Sequence, residues 1–80
     1  MKKEDLIKYA MKGLSADIDE LEKSINQGKR FLLQYERGEQ PKTPKTPQEI
    51  KAIIQDKKAE IERLARLKSD LQWELVENEQ

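Results

Sequence analysis

Between Ile7 and Tyr35 the apolar residues fall at alternating steps of four and three. The series runs Ile7, Met11, Leu14, Ile18, Leu21, Ile25, Gly28, Leu32, Tyr35, and glycine is its one gap. Such a stripe is a heptad seam, the pattern of a long helix that packs along its length against another helix. At about 1.5 Å per residue the seam exceeds 40 Å. Alone in water it would leave its whole apolar face exposed, so something must cover it.

The first helix is expected over about 3–37. Glu4 and Asp5 fall in its first turn, where the helix dipole favours carboxylates. Gly13 and Ser15 resemble a break, but the heptad phase passes through them unchanged. Gly38 follows as a C-terminal stop. The connector, 38–46, has prolines at 41 and 44, with Pro47 just beyond, a repeat of three that favours extended polyproline II geometry. It reads as a semi-rigid spacer between helices. The second helix, about 47–77, opens on a capping box, with Thr46 as N-cap, Pro47 in the first turn and Glu49 three residues after the cap. Its apolar residues are Ile50, Ile53, Ile54, Ile61, Leu64, Leu67, Leu71, Leu75 and Val76, spaced like a helix but in looser heptads.

Folding one helix back on the other pairs residues whose numbers sum to about 85. The layers are then Tyr35/Ile50, Leu32/Ile53, Gly28/Lys57, Ile25/Ile61, Leu21/Leu64, Ile18/Leu67, Leu14/Leu71 and Met11/Leu75. Apolar meets apolar throughout, and the two gaps, Gly28 and Lys57, coincide. The acidic block Asp17, Asp19, Glu20 and Glu22 mirrors Arg63, Arg66 and Lys68. Lys8 and Lys12 mirror Glu77 and Glu74. Exposed pairs of this kind contribute about 0–1 kcal/mol each and act more on orientation than on stability. The fold class expected is all-α: one domain over 1–80, an antiparallel two-helix hairpin, pairing into a four-helix bundle.

Composition narrows the chemistry. With 35% hydrophobic and 40% charged residues, the chain suits a surface-rich helical pair rather than a globule with a large core. Sixteen basic and sixteen acidic side chains leave no net charge to attract nucleic acid. The chain has no cysteine and no histidine, which removes disulfides, thiolate nucleophiles, the commonest general base and the commonest transition-metal ligands. Its carboxylates lie mainly off the seam, away from any inward metal site, and Ser24 and Ser69 have no base at helical spacing. Catalytic residues, cofactors, metals and small-molecule substrates are therefore not expected. Met-Lys-Lys is followed by Glu4 and Asp5 rather than an apolar run, so neither a leader peptide nor a membrane span is expected, and the cytoplasm is the default location.

What remains is surface. Leu6, Tyr9 and Ala10 lie beside the seam near the N-terminus. Trp73 and Val76 fall near them in the folded-back register, as a terminal patch. Phe31, Leu33, Ala52 and Ile54 make a second patch near the connector. Gly28 with Lys57 forms a notch that could receive a partner's side chain. Exposed aromatic and aliphatic clusters point to an interface with a second copy or another protein. The expected function is a small regulator, adaptor or inhibitor working through helix faces. The alternative is weak nucleic-acid binding through Lys2, Lys3, Lys8 and Lys12, whose field Glu74, Glu77 and Glu79 would partly cancel.

Overall fold

A computed structural model of the chain describes residues 2–79; the side chains of residues 78 and 79 lie outside the description. Two helices, α1 (Lys3–Glu36) and α2 (Pro47–Glu79), pack as an antiparallel hairpin. The hairpin measures 58 × 18 × 16 Å, with a radius of gyration of 17.5 Å. A compact domain of this length would have a radius near 12 Å. The elongation explains the small core: among the described residues only Ile7, Ile25, Ile50, Ile54 and Leu64 are buried.

The termini of the helices follow from local chemistry. Arg37 caps α1 and Gly38 turns left-handed at φ 77°. The Gly38 N–H donates to the Tyr35 carbonyl and the Glu39 N–H to that of Gln34. This pair of bonds is a Schellman motif, which satisfies carbonyls that a helix end otherwise leaves open. α2 opens as its capping sequence requires, with the Glu49 N–H donating to Thr46 Oγ1 at 3.2 Å. It runs to Glu79, two residues past the expected end.

The connector is not a straight spacer. Nine extended residues would reach nearly 30 Å, whereas packed helices lie about 8–10 Å apart. The chain instead folds back tightly: the Thr43 N–H donates to the Pro41 carbonyl and the Lys45 N–H to Thr43 Oγ1. The Tyr35 hydroxyl donates to the Lys45 carbonyl at 2.8 Å, tying the connector to the last turn of α1.

The register differs from the one read from sequence. A Cβ at Gly28 would lie 3.1 Å from Ile54 Cδ1 and 3.4 Å from Ile50 Cγ2, so Gly28 faces Ile54, not Lys57. Lys57 lies one turn further along and donates to Ser24 Oγ at 2.6 Å. Paired numbers sum to about 82, not 85. The cause is a fit of shapes: the side chain that Gly28 lacks leaves a hole, and Ile54 fills it as a knob. In this register α2 also carries a strict seam of four and three: Ile50, Ile54, Lys57, Ile61, Leu64, Lys68, Leu71, Leu75. None of these is fully exposed. Two residues assigned to the seam leave it: Ile53 moves to its edge and Leu67 stands 44% exposed. Ile54, placed in the outer patch near the connector, is instead at the centre of the core, clustered with Ile25 and Ile50 and flanked by Phe31, Leu32, Tyr35 and Ile61.

Candidate interaction surface

With both seams fixed, every other position has a defined side. Residues seven apart share a side of a helix. Lys3, Ala10, Asp17, Ser24 and Phe31 form one row along α1. Ile53, Glu60, Leu67 and Glu74 form the corresponding row along α2. Two contacts show that these rows flank the seam together. Lys3 Nζ pairs with a Glu74 carboxylate oxygen at 3.0 Å at the terminal end. Ser24, Phe31 and Ile53 line one cavity near the connector. The opposite flank carries Lys8, Ser15, Glu22, Lys29 and Glu36 on α1, and Lys51, Lys58, Ala65 and Gln72 on α2. Only Ala65 is apolar there. The hairpin thus has one charged flank and one with spaced apolar residues.

The cavity on the second flank measures about 140 Å³. Gly28, Phe31, Ile53 and Ile54 supply apolar walls. Thr43 and Lys45 of the folded connector close one side, and Ser24 and Lys57 the other. Gly28 and Lys57 therefore do border one opening, although they are not paired across the seam. No carboxylate lines it. Lys57 is half-buried, and among the described residues its partner is the Ser24 hydroxyl rather than an acid. A half-buried ammonium held by a hydroxyl keeps much of its attraction for an anion unspent.

The remaining candidates stand further out. Tyr9 is 77% exposed and Trp73 66%, each at the position of its heptad furthest from the seam. Because outermost positions on two paired helices point in different directions, Tyr9 and Trp73 are not brought into a single patch by the hairpin. Leu6 and Val76 are also exposed, as are Ala10 and Leu33. Phe31 is half-buried against the core cluster, whereas Leu33, two residues on, faces away from it. Trp73 and Val76 share a shallow groove on α2 with Ser69 and Gln72.

Charged groups on the surface pair locally. Lys8 pairs with Glu4 at 3.1 Å across one turn. Glu60 and Arg63 form a two-pronged contact. The Arg63 hydrogen bond holds the Glu60 carboxyl below its ordinary pKa, and the same bond holds the guanidinium above its own. Among the described residues no three carboxylates gather as a metal site would need. No helix among the described residues is long and apolar enough to cross a membrane. No protein-family model matches the chain, and neither a curated protein nor a solved structure is similar enough to match.

Proposed function

We propose that this hairpin is a non-catalytic protein-interaction module, a small regulator, adaptor or inhibitor, that pairs with a second helical surface to complete a four-helix bundle. The observation that carries this reading is the imbalance between core and surface. Among the described residues five apolar side chains are buried, while Leu6, Tyr9, Leu33, Leu67, Trp73 and Val76 stand 41–77% exposed. A two-helix unit with so small a core is marginal on its own, and covering exposed apolar surface is the simplest way to stabilise it. Bundles achieve this by adding helices along the same long axis.

Binding of nucleic acid is the competing reading, and the lysine strip is less available to phosphates than the sequence suggests. Lys3 and Lys8 are both in ion pairs with glutamates.

Salt separates the two. Contacts with several phosphates weaken by orders of magnitude between low and physiological salt. An apolar association weakens little. Self-association, or binding to a protein partner, should persist in high salt, and Trp73→Ala and Phe31→Ala tested separately show which surface makes it. Binding only to nucleic acid, lost as salt rises, would overturn the reading.

A further inference from the structure

We infer that the surface covering the Phe31 flank is a second copy of this chain, stacked in the opposite direction so that the connector end of each hairpin lies on the terminal end of the other. This rests on the interaction-module reading and specifies its partner, face and orientation.

Charge distribution gives the orientation. Cut the hairpin across its middle, between residues 20 and 21 of α1 and between 61 and 62 of α2. The connector half, 21–61, carries nine basic and six acidic side chains, a net of +3. The other half, residues 1–20 with 62–80, carries seven basic and ten acidic side chains, a net of −3. The zero total conceals a dipole along the long axis. Two copies stacked the same way set like against like. Two stacked oppositely set +3 against −3 twice, which favours encounter and fixes the pairing.

The α1 row of the flank agrees with this orientation. A two-fold axis that reverses the long direction stacks α1 on its own copy, antiparallel. An isologous contact must then match itself. In the row Ala10, Asp17, Ser24, Phe31 an axis between Asp17 and Ser24, close to the middle of α1, places Ala10 over Phe31 and Asp17 over Ser24. The first match covers the half-buried ring of Phe31 and the apolar mouth of the cavity with a small side chain that lets the helices approach. The second brings an exposed carboxylate to the ammonium that Ser24 holds in place, Lys57 Nζ. Lys57 then gains an acid, where among the described residues of its own hairpin its partner is the Ser24 hydroxyl. The other flank carries only Ala65 as an apolar residue, so it has no apolar surface of this kind to cover.

The chain contains no cysteine, so introduced thiols report proximity cleanly. The test is mild oxidation of full-length Ala10→Cys/Phe31→Cys, with each single variant alongside. Within one helix these positions are about 30 Å apart, far beyond the ~7 Å that a disulfide allows. The expected result is a covalent dimer from the double variant and none from either single variant. Asp17→Lys, at an exposed position that leaves the core intact, should weaken self-association about tenfold or more by sedimentation equilibrium. Covalent dimers from the single variants would set a position against its own copy, which the opposite stacking about this axis does not do, and would overturn the inference. So would a non-covalent dimer that never cross-links, which would leave the interaction-module reading standing on another face. A monomer at every concentration also overturns the inference, and the module reading is then decided by partner binding and its salt response.

Discussion

Gly28 and Gly13 lie in the same helix and do opposite work. Nothing lies within 4 Å of a Cβ built at Gly13, so Gly13→Ala should stabilise the hairpin by about 0.5–1 kcal/mol through helix propensity alone. At Gly28 the same methyl would meet Ile54 Cδ1 at 3.1 Å and Cγ1 at 3.2 Å. The terminal carbon could swing away. Cγ1 is set by the stiff torsion of a β-branched side chain inside the core, so relief requires moving the helices apart. Overpacking of this kind typically costs about 1–3 kcal/mol, enough to exceed the propensity gain. Gly28→Ala should therefore lower the midpoint of urea unfolding while Gly13→Ala raises it. If both raise it, the knob-in-hole contact is looser than described. The gap at Gly28 was visible in the sequence as a break in the heptad. Its use was not, because the heptad pattern gives the position of a hole and not the side chain that fills it.

At the level of the helices, the sequence was most legible where local chemistry is self-contained. The stop at Gly38 and the start at Thr46–Glu49 both appear as bonds within a few residues of the signal. Register was less legible because it is a long-range property. Two lysines, Lys57 and Lys68, occupy seam positions of α2. Folding the chain about the centre of the connector pairs residues summing to about 85, which brings Ile53 and Leu67 into the seam in place of the strict series through Ile54. What decides between the phases is the pair of cross-helix fits, Ile54 into Gly28 and Lys57 onto Ser24, neither of which has a signature in one helix alone. The distinction is measurable with adjacent isoleucines. Ile54→Ala removes a buried knob and should cost about 2–4 kcal/mol, which for so small a core approaches complete unfolding. Ile53→Ala acts at the edge of the seam and should cost about 1 kcal/mol or less. A larger loss from Ile53→Ala than from Ile54→Ala in thermal or urea unfolding would return the hairpin to the register in which Ile53 faces Leu32.

The whole molecule is governed by its shape. A 58 Å hairpin presents much surface for its length and encloses little. On the proposed association, its stability is bound up with what covers the Phe31 flank, and folding and association are coupled through mass action. The candidate surface was only partly legible in sequence. Tyr9, Trp73, Leu6, Ala10, Leu33 and Val76 are exposed, as their heptad positions imply, but the two aromatics occupy separate outer faces rather than one patch. The cavity beside Gly28 and Lys57 could not be anticipated in detail, because the folded connector supplies Thr43 and Lys45 to its rim. The +3 and −3 halves, by contrast, are present in the sequence once the fold shows where the chain doubles back. The most direct test of the proposed association is the molar mass in solution, measured by sedimentation equilibrium from low micromolar to millimolar concentration at physiological and high salt. The expected result is a mass rising with concentration from 9.4 kDa towards twice that value, with the association weakened a few-fold but not abolished by salt. A mass fixed at 9.4 kDa across the whole range would contradict it.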